Sequence, residues 1–284
     1  MKKAYGEPKR IISKRRELIE KIDGIASEYY EAGMKITVRQ VYYQLVARGF
    51  IDNNDKEYGK ISDLVADGRM LGLIDWDMIE DRTRFKRGNV HWESPQQIIE
   101  AAAEQYRIDT RATQPNYVEA WIEKDSLVSI LEDTCRSLDV PCFSCRGYPS
   151  LTALHEAANR LRDKDNAIIL YAGDHDPTGL TIPQVIKERF EDFEVNVKLY
   201  RLGLTLEQIK ELELPPFNAK KQDKNYAAYV KATGLTQAWE LDALPPEKLS
   251  AMFESAIESL TDLQELERMQ DKEKADKTYF SELL

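Results

Sequence analysis

Cysteine is scarce in this chain, with three among 284 residues. A disulfide framework needs more cysteines than this, so the composition favours a reducing compartment. Long apolar runs are also missing: no stretch approaches the ~18 apolar residues of a membrane span, and the amino terminus has no apolar signal core. We therefore expect a cytoplasmic protein without a membrane-spanning segment. The length permits two domains with separate cores.

A net positive charge, which DNA-binding proteins often carry, is missing from the chain as a whole but present in its first third. The formal net charge is -10, yet residues 1–90 contain 18 Lys and Arg against 15 Asp and Glu. Besides the pair Lys9-Arg10, the basic clusters there are Lys14 to Arg16 and the set Arg82, Arg84, Lys86 and Arg87. Clustered cations are typical of phosphate binding, so we predict that the second cluster contacts DNA. A solvated helix face explains the first cluster equally well.

Acidic residues follow two short apolar runs. Glu123 and Lys124 follow the run 117–122, and Gly173-Asp174-His175-Asp176 follows the run 167–172. Such runs, each followed by a segment of helix length, are typical of parallel strands with crossover helices. We therefore predict an α/β fold, with helices on both faces of a parallel sheet and helix-rich ends. Because the carboxyl ends of the strands share one edge, Glu123, Asp174 and Asp176 should lie close together.

Three converging carboxylates repel one another unless a cation joins them. Oxygen ligands without Cys or His suit Mg²⁺ or Mn²⁺, and Mg²⁺ typically takes one or two carboxylates plus waters and phosphate oxygens. We therefore predict a Mg²⁺ or Mn²⁺ site at Glu123, Asp174 and Asp176, with Lys124 contacting phosphate and His175 pointing away. The alternative is that the acids cap helices or form turns, which is the usual role of acids at strand ends.

The first third of the chain has a pattern of three helices followed by a basic ribbon. The helices are predicted over about 10–31, 38–47 and 57–71, before the basic segment 82–88. This order favours a winged helix, whose third helix enters the major groove. On the second helix the apolar stripe includes Tyr42, whereas Tyr43 lies on the face of Arg39 and should point outward.

The two acidic motifs resemble those of the Toprim domain, in which a Glu follows the first strand and Asp-x-Asp a later one. Asp-x-Asp-Pro-x-Gly at 174–179, with Glu123-Lys124 and the segment 147–150, is similar to the A subunit of topoisomerase VI and the related meiotic double-strand-break protein. Arg39-Gln40-Val41-Tyr42-Tyr43 resembles that family's motif, in which the tyrosine that attacks DNA follows an arginine by four residues. A stretch like Glu-x-Asp-Ala-Leu-x-Pro at 240–246 occurs in compact bacterial and phage relatives.

The resemblance implies metal-dependent cleavage of double-stranded DNA in which Tyr43 attacks the phosphodiester. Arg39, Glu123 and Lys124 would assist Tyr43. A phenol with a pKa near ~10 needs such help, because it is a weak nucleophile at neutral pH. The family's architecture implies a homodimer in which the tyrosine of one subunit meets the acids of the other. Since the chain has no nucleotide-binding loop, strand passage would need a separate GHKL-type ATPase subunit.

Domain boundaries follow from the same patterns. We predict a winged-helix DNA-binding domain at 1–92, a linker helix at 93–115, a Toprim metal-binding domain at 116–205 and a helical extension at 206–284. Two other functions stay open. One is a hydrolytic Toprim nuclease that forms no covalent intermediate, and the other is a DNA-binding module with a degenerate Toprim fold that binds without cutting.

Overall fold

The computed structural model describes residues 2, 4–5, 13–80 and 91–282, with side chains to residue 279. The helices of the first half are α1 (Ser13–Glu31), α2 (Val38–Ala47), α3 (Asp55–Met70), α4 (Pro95–Gln105) and α5 (Val128–Ser137). Those of the second half are α6 (Leu151–Leu161), α7 (Ile182–Asp192), α8 (Leu206–Glu211), α9 (Tyr226–Thr233), α10 (Pro246–Ser259) and α11 (Leu263–Glu282). The strands are β1 (Tyr117–Ile122), β2 (Cys142–Ser144), β3 (Ala167–Ala172), β4 (Lys198–Gly203), β5 (Phe217–Asn218) and β6 (Gln237–Ala238).

The α/β class predicted from the sequence is confirmed. A four-stranded parallel sheet has the order β2-β1-β3-β4 and is flanked by helices. In the pairing of β1 with β2, Ala120 lies opposite Cys142. Strand β3 is buried at every residue, as expected for a parallel strand covered on both faces. The assignments to the winged-helix and Toprim folds stay predictions.

The chain divides into two compact units, each built from segments that are distant in sequence. The first unit comprises Met1–Arg84, Ala172–Thr181 and Gly203–Lys248, and the second comprises Phe85–Tyr171, Ile182–Leu202 and Leu249–Leu284. The boundaries predicted above were contiguous and stay a prediction. Among the described residues, each helix is either too short or too polar to cross a lipid bilayer.

Helices α1, α2 and α3 pack around one apolar core in the first unit. Its fully buried members include Ile19, Ile22, Val41, Leu45 and Ile61. Burying each such side chain contributes about 1.5–3 kcal/mol, so this core sets the mutual position of the three helices. The three predicted helices are therefore confirmed.

A buried carboxylate lies in the middle of β1 in the second unit. Glu119 is 1% exposed, and its oxygens accept hydrogen bonds from the guanidinium of Arg160 at 3.1 and 3.2 Å and from the indole of Trp121 at 2.9 Å. A buried charge is tolerated when it is paired and hydrogen-bonded in this way. Glu119 therefore has a structural role, and it interrupts the apolar run without weakening the strand.

We expect Arg160→Ala to destabilise the second unit, because it leaves the buried Glu119 carboxylate without its cation. Arg160 is itself partly exposed, so the free energy of unfolding should fall by about 3 kcal/mol, the lower end of the range for breaking a buried ion pair. Chemical denaturation measures this difference. Arg136→Ala is the control: Arg136 and its partner Asp133 are both exposed, and the loss should stay below about 1 kcal/mol. Equal losses for the two variants would contradict the structural role of Glu119.

Candidate active site

Helix α2 carries Arg39 and Tyr43, and its start is fixed by a capping box. The hydroxyl of Thr37 accepts a hydrogen bond from the backbone N–H of Gln40, and the side-chain oxygen of Gln40 accepts one from the N–H of Thr37. These bonds satisfy two N–H groups that a helix start leaves without intrahelical partners. The helix phase is thereby set, so Arg39 and Tyr43 lie one turn apart on one side of α2.

Tyr43 is buried, and the expectation that it points outward was wrong. Its side chain is 6% exposed, close to the 3% of Tyr42. The reason is that α2 contacts the short 3-10 helix Leu241–Ala243 as well as α1 and α3, so it is covered on more sides than its apolar stripe indicates. The rings of Tyr42 and Tyr43 meet edge to face with centroids 5.1 Å apart.

A cavity of about 590 Å³ in the first unit brings Tyr43, Arg39 and Asp176 together. Its other lining residues are Tyr42, Asn53, Asn54, Asp55, Tyr58, Pro177, Phe217, Asn218, Ala219, Lys220, Asp223 and Glu240. The lining thus contains two basic side chains and four carboxylates. A phosphodiester entering this space adds a further negative charge, so a cation bound there would lower the electrostatic cost.

Two carboxylates hold the guanidinium of Arg39. Its Nη2 donates a hydrogen bond to Oε2 of Glu240 at 2.8 Å, and its Nε lies 3.7 Å from Oδ2 of Asp242. The guanidinium carbon lies 5.8 Å from the ring centroid of Tyr43. Burial acts to lower the pKa of Arg39, but the charges of Asp242 and Glu240 outweigh burial and raise the pKa above its usual value. Arg39 therefore stays cationic and cannot act as a base.

Asp174 is anchored by the chain segment that also supplies the partners of Arg39. The carboxylate of Asp174 is 7% exposed, and its Oδ1 accepts a hydrogen bond from the backbone N–H of Leu241 at 2.7 Å. The next residue, His175, exchanges backbone hydrogen bonds with Trp239 at 2.9 and 3.0 Å. Residues 239–242 therefore connect Asp174 with Arg39 within the first unit.

The ring of His175 is part of a buried aromatic cluster. It packs edge to face against Tyr229 and Trp239, with centroid distances of 5.9 Å in both cases. The hydroxyl of Tyr229 lies 3.3 Å from Nδ1 of His175. These contacts give His175 a packing role in the first unit.

Asp176 forms the turn that follows β3. Its Oδ1 accepts a hydrogen bond from the N–H of Gly179 at 2.6 Å, and its carbonyl accepts one from Leu180 at 3.1 Å. The turn-forming role set out as the alternative is therefore present. A carboxylate has two oxygens and about four acceptor positions, so a turn-forming hydrogen bond does not by itself prevent it from binding a cation.

Glu123 and Lys124 belong to the second unit, directly after β1. The Glu123 side chain is 8% exposed, and its Oε2 accepts a hydrogen bond from the hydroxyl of Tyr171 at 3.4 Å. Burial raises the pKa of the neighbouring Cys145 thiol, and the charge of Glu123 adds to this effect. Lys124 is half-buried, and its carbonyl accepts a hydrogen bond from Leu127.

Within the part of the chain that the structure describes, no group of three or more His, Cys, Asp and Glu side chains is arranged to hold a metal ion. Mg²⁺ does not require such a group, since one or two carboxylates suffice when water and phosphate oxygens complete its shell. Asp174 and Asp176 supply oxygen donors of the chemistry that Mg²⁺ and Mn²⁺ prefer.

The predicted DNA-binding residues Arg82, Arg84, Lys86 and Arg87 lie outside the described residues. In the first basic cluster, Arg15 pairs with the half-buried Asp67 at 2.7 Å, and Arg16 pairs with Glu20 at 3.4 Å; both arginines and Glu20 are exposed. These pairs are what a solvated helix face would show.

Reasoning from the sequence gave no role to several residues that surround the site. Glu240, Asp242 and Lys220 had no assigned role, although 240–246 had been noted as similar to a stretch in compact relatives of the topoisomerase VI A subunit. That stretch supplies the carboxylates that hold Arg39. Lys220, within the segment predicted as a helical extension, lines the cavity.

No family model matches this chain, and no curated protein matches it at a significant level. The resemblance to the topoisomerase VI A subunit therefore depends on the short motifs alone, and the cavity is the independent structural observation beside them.

The hydrogen bond to Asp174 yields a test of its role in the fold. Asp174→Ala leaves the buried N–H of Leu241 without this acceptor, which should lower the free energy of unfolding by about 1–3 kcal/mol. Asp174→Asn keeps an acceptor oxygen and should lose less. Asp63, exposed on α3, is the control, and its change to Ala should alter stability by at most about 0.5 kcal/mol. Urea denaturation compares the three; equal stability of the Ala and Asn variants would contradict the role of this bond.

Proposed function

We propose that this protein cleaves double-stranded DNA by attack of Tyr43 on a phosphodiester, in the manner of the topoisomerase VI A subunit. The observation that carries the proposal is the cavity that contains the side chains of Tyr43, Arg39 and Asp176. These are the nucleophile, the cation and one carboxylate that the motifs predicted from separate parts of the sequence.

The reaction exchanges one phosphoester bond for another. The phenol oxygen of Tyr43 forms a bond to phosphorus, the bond to the 3′ oxygen of the neighbouring nucleotide breaks, and that oxygen takes a proton from water and leaves as a 3′-hydroxyl. Arg39 stabilises the developing phenolate and phosphate charges, as a fixed cation does in a partly buried site. Because Arg39 stays protonated, the phenol proton passes to water or to a carboxylate of the cavity.

Asp174 and Asp176 are the residues that would hold Mg²⁺ or Mn²⁺ in the first unit. When bound, the ion supplies neutralisation of charge at the scissile phosphate. The excess of carboxylates over basic groups in the cavity favours such a cation. Glu123 is the third predicted ligand. The plasmid cleavage assay described next tests its role with Glu123→Gln and the role of Lys124 with Lys124→Ala.

The first experiment asks whether cleavage occurs and whether it is covalent. The protein is incubated with supercoiled plasmid and Mg²⁺ or Mn²⁺, quenched in detergent, and analysed on gels with and without protease. We expect nicked or linear DNA that enters the gel fully only after protease treatment. Intact plasmid under all conditions, together with duplex binding, would support the non-cleaving DNA-binding module instead.

The burial of Tyr43 favours one alternative, a hydrolytic nuclease. At 6% exposure, the phenol is less accessible to a DNA backbone than a water molecule in the cavity would be. In that case water attacks phosphorus, and the products are ends without attached protein. The supercoiled-plasmid assay distinguishes this outcome directly, because the gel pattern would not depend on protease.

Tyr43→Phe separates the two chemistries, since it removes one oxygen and keeps the ring. We expect cleavage and covalent attachment to disappear, with a stability loss of at most about 0.5–1.5 kcal/mol. Tyr42→Phe is the matched control, because the Tyr42 hydroxyl bonds Asn53 and Asn54 and has a structural role. Cleavage that persists in Tyr43→Phe would assign the reaction to water.

The family's architecture would place each tyrosine against the acids of a second subunit, whereas here the cavity contains Tyr43 and Asp176 of the same chain. We therefore expect each chain of a homodimer to carry its own site. Mixing Tyr43→Phe with Asp176→Asn protein should then give no cleavage above that of each variant alone. Asp176→Asn keeps an acceptor for Gly179, so its turn should persist. Restored nicking in the mixture would show that the site is shared between subunits.

Duplex DNA and a separate GHKL-type ATPase stay the proposed partners.

A further inference from the structure

Two carboxylates share the guanidinium of Arg39, but they differ in their surroundings. Asp242 approaches Nε, and its side chain is 0% exposed. Glu240 binds Nη2, and its side chain is 21% exposed. Glu240 lines the cavity together with Arg39. A ligand entering the cavity therefore meets Arg39 on the side that Glu240 occupies.

We propose that Asp242 fixes the position of Arg39, while Glu240 occupies the guanidinium edge that a DNA phosphate takes over when it binds. This inference rests on the proposed function. Asp242 and Glu240 thus have separate roles, the first as a positioning residue and the second as an exchangeable anion.

The charge balance supports this exchange. With both carboxylates in place, the group of Arg39, Glu240 and Asp242 carries a net charge of about -1, which repels a phosphate. If Glu240 swings away, Arg39 and Asp242 together are neutral, and Nη2 regains a hydrogen-bond donor. Arg binds phosphate and carboxylate through the same planar set of donors, so one anion can replace the other.

The backbone makes the exchange possible without dismantling the site. Leu241, which lies between the two acids, donates its N–H to Asp174 at 2.7 Å, and Trp239 is paired with His175. Asp242 is held within the 3-10 helix Leu241–Ala243 that contacts α2. A rotation of the Glu240 side chain alone can therefore release Nη2, while Asp242 and Asp174 keep their places.

The test measures binding of a fluorescent DNA duplex without divalent metal, so that cleavage does not interfere. Glu240→Gln should bind several-fold more tightly than the unchanged protein. Because the phosphate contacts Arg39 in both proteins, the slope of log K against log salt should change by less than the ~0.9 of one phosphate contact. Glu211→Gln, which removes the same charge at an exposed position of α8, is the control and should change neither quantity.

Asp242→Asn tests the positioning role in the same protein. Because Glu240 can still give way to the phosphate, the affinity for DNA should not fall, whereas the single-turnover cleavage rate with Mg²⁺ or Mn²⁺ should fall. A merely structural role for Asp242 would lower affinity and rate together.

The outcomes distinguish this inference from the proposed function. If Glu240→Gln binds the duplex no more tightly than the unchanged protein, and the unchanged protein cleaves DNA, the inference alone is overturned. The expected change in binding, without cleavage by the unchanged protein, would support the exchange at Arg39 and overturn the proposed function. Absence of duplex binding by all variants would overturn both.

Discussion

The ion pairs of Arg39 with Glu240 and Asp242 are the interaction on which the first unit's site depends. They join α2, which carries Tyr43, to a segment two hundred positions later in the chain. A cation inside a partly buried site is stable when carboxylates offset its desolvation, and here two of them do so. Their combined charge also keeps Arg39 protonated, so Arg39 can stabilise negative charge but cannot act as a base.

The segment 239–242 is therefore more than a connection between β6 and α10. Trp239 pairs with His175, Leu241 donates to Asp174, and the acids at 240 and 242 hold Arg39. A single short stretch thus ties the carboxyl end of β3 to the helix that carries the tyrosine. Small shifts of this stretch would move the Asp174 carboxylate and the Arg39 guanidinium together.

Local patterns predicted the elements of the fold well. The apolar runs of β1 and β3 and the first three helices depend on neighbouring residues, and the sequence contains that information. Burial of Tyr43 and the pairing of Arg39 with Glu240 and Asp242 depend on contacts between distant segments, which helical periodicity cannot reveal. The motif singled out Asp174 and Asp176 as candidate ligands, which stays a prediction, and their bonds to Leu241 and Gly179 could be seen only in the structure.

The central claim is that Tyr43 forms a covalent bond with DNA, and peptide mass analysis tests it most directly. After reaction with duplex DNA and Mg²⁺ or Mn²⁺, the protein is denatured, digested with nuclease and then with trypsin, which releases residues 40–48 as one peptide. The account predicts a nucleotide adduct on this peptide, with fragmentation assigning it to Tyr43 and not to Tyr42. Cleaved DNA with no adduct on Tyr43 would contradict it.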